Sequence, residues 1–299
     1  MTSELEFKDK IYVIIVTYNG IRWIENCLLS LRTSIVPLHI VIVDNGSDDG
    51  TIEIITKYSE AHLIQSEVNL GFGGANNVAA SFAINEGAEY LFLLNQDTIV
   101  YPNTVTELLN VIIDNKEIGV ISPIHLNDFG DALDFKFLNY LGNNSIVSDL
   151  LIQRPLHSFY TIGFVNAAAW LIRADIIKEI GLFSSAFFHY GEDSNFLHRL
   201  KYYNYKLAIV PSSYINHCRL DRLGDLHKEH LKRKVEIAML TTILNINDNY
   251  NVAYLKVLRY AGQQLFLTNF RNALKLVFNP LLYVRKYKKY RASYIKLTY

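Results

Sequence analysis

The first residues that suggest chemistry form a short polar stretch, Asn95, Gln96 and Asp97, directly after the apolar run 90–94. A run of large apolar residues of this length is typical of a strand buried on both faces of a sheet. In open α/β sheets, ligands bind beyond the carboxyl ends of the strands. Asp97 is therefore a candidate functional acid; the alternative is that it only caps the turn leading to Pro102.

Three further apolar runs, at 11–16, 38–43 and 61–65, also end in polar or glycine-rich sequence. The polar residues beyond them include Asn19, Asp44 and Asn69. Carboxyl ends of parallel strands meet at one edge of a sheet, so these side chains and Asp97 would line an edge of nucleotide size. Four polar strand ends in order favour a binding site over four unrelated turn caps.

The elements that must position these residues follow from the alternation of strands and helical patterns along 11–122. This alternation predicts right-handed crossovers, a mostly parallel sheet and the α/β fold class. Residues 126–157 lose periodicity, which predicts a loop-rich excursion with short strands. Beyond 226 only helical patterns remain. We therefore predict a first domain at 1–225 and a C-terminal helical region at 226–299.

The net charge of zero hides two parts of opposite charge. Residues 249–299 hold ten Lys or Arg and no acid, whereas the first 248 residues hold 19 basic and 29 acidic side chains. Tyrosines interleave with basic residues along 283–294, a pattern that suits an anionic membrane surface. The alternative is a solvated basic helix end. Nucleic acid is not an expected partner, because no known binding module is visible.

Two features of the sequence bear on its location. The two cysteines, Cys27 and Cys218, are far apart, which favours reduced thiols and a cytoplasmic protein. The N-terminus resembles no signal peptide, and no run of about eighteen apolar residues occurs. We therefore expect a cytoplasmic protein, peripheral on the inner face of the plasma membrane.

Five motifs that fall in order along the chain carry a family resemblance. They are Thr17-Tyr18-Asn19, the stretch from Val43-Asp44-Asn45 to Gly50-Thr51, the stretch from Asn69-Leu70-Gly71 to Asn76-Asn77, Asn95-Gln96-Asp97-Thr98, and Gly191-Glu192-Asp193. Together they resemble the inverting family 2 glycosyltransferases of the GT-A fold, a Rossmann-like sheet flanked by helices, and most of all the bacterial rhamnosyltransferase-like branch. The resemblance covers roughly residues 11–217.

The resemblance implies a nucleotide-sugar site. Asp44 would hydrogen-bond the nucleotide base, and the glycines would bring backbone amides near the donor at a helix start. A turn-capping role for Asp44 is compatible with this one. The donor-binding residues that the resemblance implies are Thr17, Tyr18, Asn19, Asp44, Asn69, Gly71, Gly73, Gly74, Asn76, Asn95, Gln96 and Asp97.

The resemblance also implies a divalent metal, Mg²⁺ or Mn²⁺. Asp97 corresponds to the last acid of the Asp-x-Asp motif, whose metal neutralises the leaving diphosphate. Asn95 replaces the first acid and offers a carbonyl oxygen without a charge, which predicts weaker metal binding. His217 stands where relatives have a further metal or phosphate ligand; the alternative is a purely structural histidine.

The catalytic base implied by the resemblance is Asp193, with Glu192 as the second candidate. Inversion in one displacement needs a carboxylate that takes the proton of the attacking acceptor hydroxyl. The alternative for Asp193 is a helix-capping acid.

The resemblance implies transfer of a hexose or deoxyhexose from a nucleotide diphosphate to a glycan, and with the basic aromatic tail it implies a lipid-linked acceptor in cell-surface polysaccharide synthesis. The expected donor is dTDP-rhamnose, followed by a UDP-hexose. A rival hypothesis is a glycan or nucleotide-sugar binding protein with weakened catalysis, which Asn95 would allow. A nicotinamide-dependent oxidoreductase is disfavoured, because the spacing of Gly71, Gly73 and Gly74 is not that of a dinucleotide-binding motif.

Overall fold

The computed structural model describes residues 10–219, 228–267, 290, 291 and 293, with side chains described for 10–219, 236–259 and the last three. Its strands are β1 (Ile11–Thr17), β2 (His39–Asp44), β3 (Ala61–Gln65), β4 (Tyr90–Asn95), β5 (Thr98–Val100), β6 (Ile118–Leu126), β7 (Tyr160–Thr161), β8 (Ala169–Arg173) and β9 (Lys206–His217). Its helices are α1 (Ile24–Leu31), α2 (Thr51–Ile55), α3 (Gly71–Asn85), α4 (Thr104–Ile112), α5 (Phe135–Leu141), α6 (Ser145–Leu151), α7 (Ala174–Ile180), α8 (Glu192–Tyr202), α9 (Lys228–Ile243) and α10 (Tyr250–Leu267).

All nine strands form one sheet in the order β3-β2-β1-β4-β8-β6-β9-β5, with β7 paired to β9. The first four strands are parallel, as the alternating pattern predicts. Beyond β4 the sheet is mixed, because β8 runs antiparallel to both β4 and β6. This differs from the expected mostly parallel sheet. After β6 the chain passes through α5, α6 and β7 and then returns as β8 in the opposite direction. β8 is therefore antiparallel to the two strands beside it.

The hydrophobic core lies on both faces of the sheet. On β4, Leu91 and Leu93 pack on the face covered by α3, whereas Phe92 and Leu94 pack on the face covered by α1 and α4. Alternate side chains of a strand point to opposite faces, so a strand buried on both sides needs a continuous apolar run. The run that ends at Asn95 is therefore explained by its central place in the sheet.

The segment 126–157 differs from the prediction of a loop-rich excursion. In place of a loop-rich excursion with short strands, the structure has the seven-residue helices α5 and α6. Asp134 caps α5 by accepting a hydrogen bond from the amide of Phe137 at 2.8 Å, and Asn144 caps α6 by accepting one from the amide of Ile146 at 3.1 Å. These side-chain caps compensate for the short length of both helices.

The C-terminal helices α9 and α10 confirm the helical pattern beyond 226. A Cβ atom on Gly191 would lie 2.9 Å from Cγ2 of Ile237 on α9, so this helix packs directly on the start of α8. Arg291 is buried and donates to the carbonyl of Ile243 at 3.0 Å. The division at 225/226 stays a prediction, and most of the basic aromatic segment 283–294 lies outside the described residues. Among the helices that the structure describes, none is both long and apolar enough to cross a bilayer.

Candidate functional site

The loops that follow β1 and β2 are joined by hydrogen bonds into one wall of the site. Asn19 has a left-handed backbone (φ 48°), and its Oδ1 accepts from the amide of Asp48 at 3.0 Å. The amide of Asn19 donates to Oγ of Ser47 at 2.9 Å, and that of Gly20 donates to Oγ1 of Thr51 at 2.8 Å. The predicted residue Asn19 therefore holds the wall together.

Asp44 is buried at the end of β2 and caps its own turn. Its Oδ2 accepts from the amides of Gly46 at 3.0 Å and Ser47 at 2.9 Å, and its Oδ1 accepts from the Ser47 hydroxyl at 2.5 Å. A carboxylate offers about four acceptor positions, so one remains for a ligand. The capping role is confirmed, and contact with a nucleotide base stays a prediction.

Two of the predicted donor-binding residues are bonded to each other. The buried Thr17 hydroxyl donates to Oε1 of Gln96 at 2.5 Å, and the amide of Tyr18 donates to the same oxygen at 3.2 Å. Thr17 and Gln96 thus connect the ends of β1 and β4. Within the Thr17-Tyr18-Asn19 motif, Tyr18 presents the most exposed side chain, at 49% exposure.

The loop before α3 is held by asparagine side chains. Asn45, buried in the β2 loop, accepts from the amide of Leu70 at 3.2 Å, and Asn69 accepts from the amide of Gly71 at 2.8 Å. Gly71 has φ +72°, and a Cβ there would lie 2.0 Å from the carbonyl oxygen of Phe188. Asn45 was missed as a candidate, although it directly follows Asp44 in the quoted motif.

The next two glycines serve close packing. A Cβ on Gly73 would lie 3.1 Å from Cβ of Phe183 and 3.7 Å from Cβ of Glu192. A Cβ on Gly74 would lie 3.2 Å from Cβ of Leu70. Gly73 therefore lets α3 approach the first residue of α8, which bears one of the two candidate bases. Donor contact by these backbone amides stays a prediction.

Asparagines 76 and 77 on α3 have different surroundings. Asn76 is buried and donates to the carbonyl of Phe72 at 2.9 Å, within its own helix. Asn77 donates to the carbonyl of Phe183 at 2.7 Å and accepts from the amide of the same residue at 2.9 Å. Asn77, absent from the predicted site, thus fixes the segment that leads to α8.

Asp97 and His217 come together, as the resemblance implies. Each side chain is 2% exposed, and Nε2 of His217 lies 3.6 Å from Oδ1 of Asp97. The pairing of β5 with β9 places Thr98 opposite His217, and the amide of Cys218 donates to the carbonyl of Asp97 at 2.8 Å. Asn95, the last residue of β4, lies two positions before Asp97 and is partly exposed.

These residues fit a metal only in part. Within the described chain, no cluster of three or more His, Cys, Asp or Glu side chains could hold an ion. Mg²⁺ is commonly bound by one or two carboxylates together with substrate phosphates and water. The carboxylate of Asp97, the amide oxygen of Asn95 and the imidazole of His217 therefore suit a cation that the donor diphosphate would help to bind.

Behind this pair lies a second polar layer that the sequence analysis missed. The buried His125 ring packs edge-on against His217 with ring centroids 5.9 Å apart, and its Nε2 lies 3.1 Å from Oγ of Ser122. Burial, followed by the charges of His217 and Arg219, holds the pKa of His125 well below its usual range. His125 is therefore neutral near pH 7.

Arg219 connects this layer to α5. Its Nε donates to Oδ2 of Asp134 at 2.8 Å, and a second bond joins its Nη2 to Oδ1. Burial raises the pKa of Asp134, but the bonds from Arg219 and the Phe137 amide outweigh that effect and hold it below its usual range. The only signal in the sequence is that Arg219 follows His217 by two residues.

Glu192 begins α8 after Gly191, whose φ is +92°. The side chain of Glu192 is 5% exposed, and its Oε2 has no hydrogen-bond partner among the described residues. Burial, assisted by the charge of Asp193, raises the pKa of Glu192 to about 8. Near pH 7 this carboxyl is therefore mostly protonated.

Asp193, the first candidate for the base, is partly buried on the first turn of α8. Burial raises its pKa above the usual value, although the amide of Ser194 opposes this by donating to Oδ1 at 2.6 Å. Asp193 is also the more exposed of the two carboxyl groups, whereas Glu192 is mostly protonated near pH 7. Asp193 therefore suits proton abstraction better than Glu192.

The segment between α7 and α8 is anchored by Arg199. This guanidinium is 2% exposed and donates to the carbonyls of Ile180, Gly181 and Leu182, the bond to Gly181 measuring 2.9 Å. A fixed charge bonded to three main-chain oxygens holds the entry to the 182–191 segment. The sequence offered no signal for this role, because Arg199 looks like a surface residue of an amphipathic helix.

Comparison with known proteins identifies relatives that transfer sugars. The chain is 24% identical over 247 residues to N-acetylglucosaminyl-diphospho-decaprenol L-rhamnosyltransferase of Mycobacterium tuberculosis, covering 75% of this chain and 80% of that protein. It is 21% identical over 218 residues to a dTDP-rhamnosyl transferase of Shigella flexneri, covering 72% and 71% of the two chains.

A solved structure and a family model agree with these relatives. The structure of Staphylococcus aureus TarS 1–349 in complex with UDP superposes with a TM-score of 0.59 at 16% identity, covering 96% of this chain and 87% of that one. This likeness supports the GT-A fold that the resemblance implies. The model of glycosyl transferase family 2 matches residues 12–181, more than half of the sequence. The chain therefore belongs to glycosyl transferase family 2 and is a rhamnosyltransferase-like member of it.

Proposed function

We propose that the protein is an inverting transferase that moves a sugar from a nucleotide diphosphate to a glycan acceptor. The observation that carries this proposal is the carboxyl pair at the start of α8. Glu192 packs beside Gly73 on α3, and both carboxyl groups have raised pKa values. Paired acids with perturbed pKa values next to a glycine-rich loop are typical of catalytic sites.

In the proposed reaction Asp193 accepts the proton of the acceptor hydroxyl as its oxygen attacks the anomeric carbon. The bond from that carbon to the diphosphate breaks in the same step, on the opposite face of the sugar, so the configuration inverts. Glu192 is mostly protonated near pH 7, so it can donate a hydrogen bond to a bound substrate and does not compete with Asp193 for the proton.

Asp97, with Asn95 and His217, is proposed to hold Mg²⁺ or Mn²⁺ at the donor diphosphate. The metal would supply positive charge to the leaving group. In the protein itself, Asp97 and His217 lie close together, and the pairing of β5 with β9 keeps them there. Because Asn95 carries no charge, we expect weak metal binding.

The proposed donor is dTDP-rhamnose, and a UDP-hexose is the second candidate. The names of the Mycobacterium and Shigella relatives support the first, and the UDP complex of TarS supports the second. The name of the Mycobacterium relative, which contains diphospho-decaprenol, also supports a lipid-linked acceptor. We propose that the glycan belongs to a cell-surface polysaccharide. We propose a peripheral location on the cytoplasmic membrane face, with the basic tail contributing to it.

The test is a transfer assay with each candidate donor, comparing wild type with Asp193→Asn. Asp114→Asn is the matched control, because Asp114 is an exposed acid just after α4. We expect Asp193→Asn to lower turnover by about 10²-fold or more, the usual contribution of a general base. Nucleotide binding, followed by thermal shift, should persist. Undiminished turnover in Asp193→Asn would refute its assignment as the base.

The same assay without acceptor addresses the rival hypothesis of a binding protein with weakened catalysis. Slow hydrolysis of a nucleotide-sugar would argue against that rival. Binding without transfer or hydrolysis for any donor would favour it.

A further inference from the structure

Large hydrophobic side chains are concentrated on the surface of one part of the chain. Seven of the twenty exposed large hydrophobic residues in the described part of the protein lie between 129 and 156. We call them the α5–α6 face, and they are Phe129, Phe135, Leu138, Leu150, Leu151, Ile152 and Leu156. Exposed apolar side chains concentrated in one part of a protein mark an interaction site more often than scattered ones do.

The face is a consequence of how the two helices bury only one side. On α5, Phe137 and Leu141 enter the core, whereas Phe135 and Leu138 are 67% and 51% exposed. These two are three positions apart and therefore lie on the same side of the helix. At the end of α6, Leu151 is 79% exposed. The exposed apolar residues of α5 and α6 therefore do not contribute to the core.

The charges around the face favour an anionic surface. Lys136 and Arg154 are exposed, whereas only one of the four acids between 128 and 156, Asp131, is exposed. Asp134 is bonded to Arg219, and Asp149 accepts from the hydroxyl of Tyr160 at 2.8 Å. Apolar side chains next to cations and inward-facing carboxylates are typical of proteins that lie on membrane interfaces.

The face is attached to the part of the protein that bears the candidate metal pair, Asp97 and His217. Tyr140 lies on α5 and packs edge-on against Phe164, with ring centroids 5.0 Å apart. Burial raises the pKa of Tyr140 to about 12, and the charges of Arg219 and Asp193 also act on it. On the same helix, Phe137 stacks on His125 with ring centroids 4.8 Å apart, and His125 packs against His217. The helix α5 therefore connects the exposed face to the candidate metal pair.

We infer that the α5–α6 face docks on an anionic lipid bilayer, with its apolar side chains at the boundary between headgroups and acyl chains. Lys136 and Arg154 would then meet the lipid phosphates. The inference deepens the proposed peripheral location, on which it rests, and assigns the contact to a surface other than the C-terminal tail. It would bring a lipid-linked acceptor near the part of the protein that holds Asp97 and His217.

The test is sedimentation with phosphatidylcholine vesicles that contain phosphatidylglycerol, compared with phosphatidylcholine alone. Leu151→Glu and Phe129→Glu change side chains that are 79% and 77% exposed, and Ile35→Glu, at 63% exposure outside the face, is the matched control. We expect each of the first two to weaken partitioning about tenfold or more, since each removes one apolar side chain that the bilayer would bury. Ile35→Glu should bind like wild type.

Three further measurements separate the outcomes. Unchanged thermal melting shows that the variants fold. An unchanged thermal shift with nucleotide shows that their donor site is intact. Charge reversal at Lys288 and Lys289 tests the tail alone; if only this change weakens binding, the inference is overturned. It is also overturned if Leu151→Glu and Phe129→Glu convert a dimer to a monomer in gel filtration without changing vesicle binding.

Discussion

Replacing Glu192 by glutamine should remove a pH-dependent loss of stability. Burial raises the pKa of Glu192 from its usual value of about 4.5 to about 8. The folded state therefore binds more protons than the unfolded state between these two values, so the free energy of unfolding falls as pH rises through this window. Below the window the carboxyl is protonated in both states and contributes no penalty.

The magnitude follows from the width of the window. Each pH unit within it costs about 1.4 kcal/mol, so 3.5 units between about 4.5 and about 8 cost about 5 kcal/mol. Glutamine has the same shape as the protonated acid and cannot ionise. The variant should therefore resemble wild type at about pH 4.5 and exceed it by up to about 5 kcal/mol above about pH 8.

Urea denaturation at a series of pH values between these limits measures the effect, with Asp114→Asn as the control for loss of an exposed acid. A residual slope should remain in Glu192→Gln, because the pKa of Asp193 is also raised by burial. Parallel stability curves for wild type and Glu192→Gln across the window would refute the reasoning, since they would mean that the Glu192 carboxyl ionises normally in the folded protein.

Two further predictions concern the glycine loop and the metal pair. Gly71→Ala should destabilise the protein by about 1–3 kcal/mol or more, because its φ is +72° and a Cβ would meet the Phe188 carbonyl oxygen; Gly163→Ala, where a Cβ would contact nothing within 4 Å, should be tolerated in the same thermal melts. Asp97→Ala should abolish any additional thermal shift that Mn²⁺ gives with a nucleoside diphosphate, and a persistent Mn²⁺ effect would exclude Asp97 as the ligand. A ligand at about 100 times its dissociation constant stabilises by about 2.7 kcal/mol, which such melts detect.

The local sequence pattern predicted secondary structure correctly where a segment's structure depends mainly on residues adjacent in the sequence. The apolar run 90–94 predicted a central strand, because only burial on both faces suits five consecutive large apolar residues. The glycines at 71, 73 and 74 were expected at the start of a helix, and α3 begins at Gly71. The helices α5 and α6 were missed, because each is seven residues long and depends on a cap and on packing of two or three side chains.

Contacts between distant residues could not be read in the same way. Thr17 and Gln96 were both expected to bind the donor, yet they bond to each other across 79 positions of sequence. The contact of His217 with Asp97 was suggested only by family resemblance. Arg199 gave no signal, and Asn77 was quoted in a motif without a role. The partners of both are main-chain groups of a loop that has no pattern of its own.

The sequence by itself determined the α/β class, the first parallel strands and the order of the polar motifs, because these depend on periodicity and on residues adjacent in the chain. Only the tertiary structure decided which polar atoms are bonded to one another, which way β8 runs, and which carboxyl groups are buried deeply enough to have raised pKa values. The physical reason is that pairing and desolvation depend on distances in space, which the spacing of residues along the chain does not specify.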